Sequence, residues 1–199
     1  MLLALAAPFA AGAQSTAGVV RGRVTLAVQG VRVADMGPLV VYLEPVDGRV
    51  VPPGPPPPET MHQRDARFAP SFLAIAAGQS VVMENDDAIY HNVFSFSRPN
   101  AFDLGLYPAG ESRTVTFRYP GVVHTYCSIH ESMNGTIFVS PSPFFTLVGS
   151  SGDFEWRSVP AGSWRLRSWC ERLPTATREL RVLAGRSVEA NLSIGETAP

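Results

Sequence analysis

The chain contains no lysine, and all sixteen of its basic residues are arginines scattered along 199 residues. Against seventeen acidic residues they leave a formal net charge of −1. No basic run or patch marks a nucleic-acid surface, so we expect no nucleic-acid partner. Long apolar stretches are also missing. No segment reaches the eighteen apolar residues that a membrane-spanning helix needs, so we expect no membrane span.

Residues that bind soft metals are scarce, with two cysteines and four histidines in the whole chain. Three soft donors nevertheless fall within seven positions of the segment "YCSIHESMNG", which runs from residue 126 to residue 135. Cys127, His130 and Met133 are separated by two residues each. This concentration of donors in a chain with so few of them indicates a metal site.

The N-terminus reads "MLLALAAPFAAGA", a short apolar run that ends in a small-x-small pattern. We interpret residues 1–13 as a signal peptide, with Gln14 as the first residue of the mature chain and a periplasmic or secreted location. The run lacks the arginine or lysine that usually precedes such a signal. A buried N-terminal helix is the alternative interpretation.

Most of the remaining sequence has the pattern of β-strands, with alternating or β-branched segments between Gly, Pro, Asn and Asp. In "RTVTFRY", for example, Val115, Phe117 and Tyr119 fall on one face. No long segment keeps an apolar stripe of helical period. The fold class that we predict is all-β.

Two proline-rich breaks divide the chain. The segment "VVPPGPPPPE" has six prolines in ten residues, which predicts a stiff, extended linker over residues 51–59. A milder break, "SPSPFF", covers residues 140–145. The central domain expected between them, residues 60–140, contains every candidate site residue.

The donor set favours copper. His91 precedes Cys127 by thirty-six residues and must come from a different loop. One thiolate, two imidazoles and a weak thioether suit a single copper ion that cycles between Cu(I) and Cu(II). Zinc gains little from a methionine ligand.

The central segment resembles the cupredoxins, or type 1 blue copper proteins, such as plastocyanin and amicyanin. The matching motifs are "GQSVVMEN" leading to "HNVF", then "AGESRTVTF", "PGVVHTYC" and "CSIHESMNGTIFV". The resemblance implies a Greek-key β-sandwich with His91, Cys127 and His130 as equatorial ligands and Met133 as the axial ligand.

Two neighbours of these ligands also match the family. The resemblance implies that Asn92 ties the two ligand loops together and shelters the sulfur with hydrogen bonds. It also implies that Tyr126 faces away from the copper, on a surface used for electron transfer. The acidic cluster "ENDD", residues 84–87, is either part of a docking surface for a basic partner or a solvated loop.

The two flanking segments, residues 18–50 and 144–195, together resemble a small carboxypeptidase regulatory-like (transthyretin-like) β-sandwich. The resemblance is carried by "GVVRGRVTL", "GDFEW" and the turn "VPAGSW", with Trp164 at the aromatic position. It implies one discontinuous domain into which the central domain is inserted or beside which it docks. Two consecutive domains that divide near Pro141 are the alternative.

Other interpretations of the donor residues stay open. Cys127 could form a disulfide with Cys170, the other cysteine, which we otherwise expect to be a free thiol. Met133 could simply pack in the core. His124 should point away from the thiolate because it lies three residues before it in a strand. His62 has no partner that the sequence identifies.

The function that we expect is one-electron transfer between periplasmic redox partners by an exported type 1 copper protein. The resemblance suggests a c-type cytochrome or a periplasmic dehydrogenase as partner. We do not expect an enzyme, because no acid or base lies beside an open metal position and four histidines cannot supply a further copper cluster. The alternative is a copper-binding or delivery module, or a surface-binding module, with no electron-transfer role.

Overall fold

A computed structural model describes residues 16–52, 54 and 57–195. The predicted signal peptide and part of the predicted linker therefore lie outside the described residues. The described chain is all-β, as predicted, with seventeen strands and one turn of 3-10 helix at Val33–Asp35. None of the helices in this part of the chain is long and apolar enough to cross a membrane.

The strands follow one another in three groups, two in the first flank, nine in the central segment and six in the second flank. The first group is β1 (Ala17–Leu26) and β2 (Val40–Pro45). The central group is β3 (Glu59–Arg64), β4 (Arg67–Ala69), β5 (Phe72–Ala76), β6 (Ser80–Asn85), β7 (His91–Ser95), β8 (Phe102–Tyr107), β9 (Ser112–Thr116), β10 (Gly121–Tyr126) and β11 (Asn134–Ser140). The last group is β12 (Phe145–Leu147), β13 (Asp153–Pro160), β14 (Gly162–Trp169), β15 (Thr177–Val182), β16 (Ser187–Glu189) and β17 (Leu192–Ile194).

These strands form four sheets. In the flanks, sheet I has the order β13-β1-β16, with β17 also paired to β1, and sheet II has the order β12-β2-β14-β15. In the central segment, sheet III has the order β5-β11-β10-β7-β8 and sheet IV the order β4-β3-β6-β9. Both strands of the first flank thus share sheets with strands of the second flank. The family to which this flanking unit belongs remains a prediction.

Each pair of sheets encloses its own apolar core. The core between sheets I and II includes Val24, Leu43, Trp164 and Leu166. The core between sheets III and IV includes, among others, Met61, Met83, Val93, Tyr107, Phe117, Val123 and Ile137. Two sandwiches result, and Cys127 and Met133 lie in the core of the central one.

A third apolar layer joins the two sandwiches. Val40, Tyr42 and Phe138 are its buried members, and Phe72 and Trp169 pack against them. The Phe138 ring lies 5.1 Å from the Tyr42 ring and 5.3 Å from the Trp169 ring, measured between centroids. Sheet II therefore covers the outer face of sheet III along β5 and β11, whereas Tyr126 on β10 stays 39% exposed on that same face.

This layer explains why two strands carry uninterrupted apolar runs. Successive side chains of a strand point to opposite faces, so a strand with one solvent-exposed face alternates apolar and polar residues. In β2 the odd members Val41 and Leu43 enter the flanking core, while Val40 and Tyr42 enter the third layer. The run "IFV" of β11 is divided in the same way, with Phe138 in the third layer.

We expect Phe138→Ala to lower the free energy of unfolding by about 3–5 kcal/mol, because this ring is 4% exposed and its removal leaves a cavity between two sheets. Phe96→Ala is the matched control, since its ring is 81% exposed and its loss should change stability by no more than about 0.5 kcal/mol. Denaturant unfolding of the metal-free protein measures both. Equal effects in the two variants would contradict the third layer.

Candidate metal centre

Three of the predicted donors lie on the loop of one hairpin. The strands β10 and β11 pair antiparallel up to Tyr126 and Asn134, which leaves a loop of residues 127–133. The Cys127 N–H donates to the Met133 carbonyl at 3.2 Å, so the ends of the loop are closed by a ladder-like bond. The Met133 N–H donates to the His130 carbonyl at 3.0 Å. The spacing of two residues between donors is thus folded into one tight, hydrogen-bonded loop.

The fourth predicted donor reaches this loop through sheet III. His91 is the first residue of β7, which lies beside β10 with Phe94 opposite Tyr126. This pairing places the His91 Nδ1 atom 3.8 Å from the Cys127 Sγ atom. The His130 Nδ1 atom lies 3.9 Å from the same sulfur, and the two imidazole rings are 4.9 Å apart. The ligand atoms of the three residues all fall within 4.8 Å of one another.

These separations fit one metal ion between the three atoms. A first-row ion at about 2.3 Å from a sulfur and about 2.0 Å from a nitrogen, with about 120° between the bonds, holds the two atoms about 3.7 Å apart. A tetrahedral angle of about 109° would bring them to about 3.5 Å. The separations of 3.8 and 3.9 Å are compatible with one ion bound to the sulfur and to both nitrogens. A trigonal arrangement of one thiolate and two imidazoles is the geometry that copper favours.

The centre is buried on one side and close to solvent on the other. The exposed fractions of His91, Cys127 and Met133 are 0%, 6% and 1%. His130 is only half-buried, and its neighbour Ile129 is 51% exposed. The central core therefore excludes water from one imidazole and the thiol, while the second imidazole lies near the surface.

Met133 is placed both by the core and by the loop. It packs with Cys127 in the central core, and its backbone is bonded to Cys127 and His130. Its burial is compatible with a packing role, and its position three residues after His130 is compatible with a role as a ligand. Axial ligation by this thioether remains a prediction.

Asn92 connects the two segments that carry the donors. Its Oδ1 atom accepts a hydrogen bond from the Ser128 N–H at 2.7 Å and another from the Ser128 hydroxyl at 2.8 Å. Asn92 follows His91 and Ser128 follows Cys127, so these bonds hold the two donors beside each other. In the described residues the hydrogen-bond contacts of the Cys127 sulfur are with His91 and His130, so the shelter that we expected Asn92 to give this sulfur is not among them.

The sequence did not identify the carboxylate that contacts His91. The Nε2 atom of His91 lies 2.7 Å from the Asp87 Oδ2 atom. Asp87 also accepts hydrogen bonds from the N–H groups of Asp65 at 2.6 Å and Ala66 at 2.9 Å. Its side chain is only 14% exposed. The only signal in the sequence was an aspartate four residues before a histidine.

These contacts determine the charge state of Asp87. Burial opposes its ionisation, but the hydrogen bonds from Ala66, His91 and Asp65 outweigh it and hold the pKa of this carboxyl below its ordinary value. Asp87 is therefore a carboxylate at neutral pH. Within "ENDD", Asn85 is fully buried and Asp87 is turned towards His91, whereas Asp86 is exposed, so a docking role for this cluster stays a prediction.

The second cysteine and the two other histidines are not part of the centre. Both cysteines are free, and Cys170 lies in the flanking core while Cys127 lies in the central one, so the disulfide alternative is wrong. His124 is exposed and lies 3.4 Å from the Thr136 hydroxyl. His62 does have a partner that the sequence did not reveal, because its Nδ1 atom lies 2.9 Å from Asp86. Tyr126 is 39% exposed.

Comparisons with known proteins find similarity over part of the chain. No protein-family model matches it. The chloroplastic plastocyanin of Physcomitrium patens is 32% identical over 91 residues, which cover 37% of this chain and 50% of the relative. The chain thus spans about half the length of the curated relative that it matches.

Solved structures give weaker likenesses. A purple cupredoxin from Nitrosopumilus maritimus is 24% identical with a TM-score of 0.38, and the match covers 41% of this chain and 99% of that one. A Cu(I) form of an amicyanin variant is 20% identical with a TM-score of 0.39, covering 43% of this chain and 85% of that one. The three matches cover between 37% and 43% of this chain.

We expect Asn92→Ala to lower the free energy of unfolding of the metal-free protein by about 1–3 kcal/mol, because two hydrogen bonds between the donor segments are lost. Ser128→Ala should cost less, about 0.5–1.5 kcal/mol, because the bond from the Ser128 N–H to Asn92 is kept. Denaturant unfolding compares the two variants. Equal losses would mean that the backbone bond contributes nothing.

Proposed function

We propose that the central unit binds one copper ion in a type 1 site and that the protein is a one-electron carrier rather than an enzyme. His91, Cys127 and His130 would be the equatorial ligands and Met133 the axial one. The observation that carries this proposal is the cluster of one thiol and two imidazoles with their ligand atoms within 4.8 Å of one another, closed on its inner side by the core. Similarity to a plastocyanin over part of the chain supports the same function.

Bound copper would supply a one-electron couple between Cu(I) and Cu(II). The task of the chain is then to hold the ligand atoms still, because a site that moves little between the two states has a low barrier to electron transfer. The bond from Cys127 to Met133 closes the loop, and the bonds from Ser128 to Asn92 fix it against β7. Burial of His91 and Cys127 excludes water as a competing ligand.

The half-buried imidazole gives a route to a partner. His130 lies beside Ile129, and exposed apolar side chains also precede His91, where Ile89 is 50% and Tyr90 57% exposed. A redox partner that covers these side chains would come close to an imidazole ligand. The exposed ring of Tyr126, 5.8 Å from the ring of Phe94, offers a second surface next to Cys127.

The partner in this proposal is a c-type cytochrome or a dehydrogenase in the periplasm, to which residues 1–13 would direct the chain. The flanking unit, as a carboxypeptidase regulatory-like sandwich, would be an accessory domain that covers one face of sheet III. The choice of partner and the family of the flanking unit rest on the sequence resemblance, and the location rests on the apolar run of residues 1–13.

The visible spectrum with Cu(II) tests the site. We expect an intense thiolate-to-copper band that disappears in Cys127→Ser and shifts in Met133→Leu. Cys170→Ser is the matched control, because it removes the other buried thiol, which lies in the flanking core, and should leave the band unchanged. His124→Ala likewise serves as the control for His130→Ala. A protein that stays colourless with Cu(II) would end the proposal.

The alternative, a copper-delivery or surface-binding module, is separated from the carrier by redox behaviour. We expect a reversible one-electron couple and fast electron exchange with a soluble cytochrome c. A delivery protein should instead release copper readily to a chelator and exchange electrons slowly. Rapid copper loss together with an irreversible couple would favour delivery.

A further inference from the structure

The imidazole of His91 is held on both of its nitrogen atoms. Its Nδ1 atom faces the Cys127 sulfur, and its Nε2 atom lies 2.7 Å from the Asp87 carboxylate. A nitrogen that binds a metal must carry no proton, so the proton of the neutral ring then lies on Nε2 and is donated to Asp87. This arrangement selects the tautomer in which Nδ1 is free to bind.

Asp87 is itself held rigidly by a turn in sheet IV. Asp65 and Ala66 form the two-residue loop between β3 and β4, where Arg64 pairs with Arg67. Their φ angles of 54° and 51° are those of a type I′ hairpin turn, and both N–H groups point at the Asp87 carboxylate. The N–H of Asp87 donates to the Asn85 side chain at 3.1 Å. A carboxylate fixed in this way cannot follow a displaced imidazole.

The second imidazole of the cluster lacks such a support. Of the hydrogen-bond contacts that involve described residues, the one that the His130 ring makes is with the Cys127 sulfur at 3.9 Å. His130 is half-buried on the loop, whereas His91 is fully buried at the start of a strand. The two histidines therefore differ in anchoring, and the difference resides in Asp87.

We propose that Asp87 is the positioning residue for His91, fixing its tautomer and ring orientation and placing a negative charge behind the copper site. This inference rests on the proposed function. A carboxylate behind a histidine ligand raises the basicity of that ligand, and its loss typically costs 10–100-fold in metal affinity. The added negative charge should stabilise Cu(II) more than Cu(I) and so lower the reduction potential.

Asp86→Asn is a matched control for Asp87→Asn. Both replacements remove one negative charge from adjacent positions, but Asp86 contacts His62 at 2.9 Å and Arg64 at 2.7 Å rather than His91. We expect Asp87→Asn to weaken Cu(II) binding about 10–100-fold and Cu(I) binding less. A tenfold change in the ratio of the two affinities raises the potential by about 59 mV. Asp86→Asn should produce only a small part of either effect.

Cu(II) titration followed by the thiolate-to-copper band and voltammetry measure these changes; the band reports on the Cys127 site alone, whereas His62, Glu84 and Asp86 form a second group that could hold a metal ion. Thermal unfolding of each metal-free variant establishes that it is folded. Equal shifts in Asp87→Asn and Asp86→Asn would overturn the proposal, because the effect would then be that of charge in general. The same conclusion follows if neither variant changes the affinity or the potential.

A second measurement needs no variant and no copper. Nitrogen-15 NMR of the metal-free protein, recorded at a pH at which the spectrum shows neutral imidazole rings, should find the His91 ring in the Nε2–H tautomer. The Nδ1–H tautomer would overturn the proposal even if Asp87→Asn fails to fold. Because this measurement does not use copper, it distinguishes failure of the Asp87 contact from failure of copper binding.

Discussion

The pairing of β10 with two neighbours, β11 on one side and β7 on the other, is the constraint on which the centre depends. The pairing with β11 closes a seven-residue loop and brings Cys127 and Met133 face to face at its base. The pairing with β7 brings His91 to the same sulfur from thirty-six residues away. Neither pairing alone assembles the cluster. Its geometry is therefore a property of sheet III as a whole, and the bonds between Asn92 and Ser128 fix the two pairings relative to each other.

A second level of support comes from outside the central sandwich. The strand β11 leaves the metal loop and carries Phe138 into the layer between sheets II and III, where it meets Tyr42 and Trp169. The strand that follows the candidate ligands is therefore packed on both faces. Burial of both faces restricts register shifts, because a one-residue slip would move every side chain of the strand to the wrong layer. The flanking sandwich thus stabilises the register of the hairpin that carries three of the four candidate donors.

The sequence predicted what depends on local spacing and missed what depends on packing between distant strands. Strand periodicity predicted the all-β class, and the spacing of Cys127, His130 and Met133 indicated one loop. The role of Asp87 was not predictable, because its partners at residues 65 and 66 meet it only through the parallel pairing of β3 with β6. The disulfide alternative arose because cysteine counts carry no information about which core a cysteine enters. The apolar runs in β2 and β11 can be recognised in the sequence, but they do not indicate that another sandwich covers the second face of these strands.

The covered face of sheet III also limits how the central unit can meet other molecules. A free β-sandwich offers two broad faces and two ends to its surroundings. Here the β5–β11 part of one face is occupied within the chain itself by sheet II, through the layer around Phe138. Encounters with the central unit are left to the outer face of sheet IV, the part of sheet III around the exposed Tyr126, the strand edges and the loop ends. The flanking half of the molecule thus removes this part of the central unit from contact with diffusing molecules.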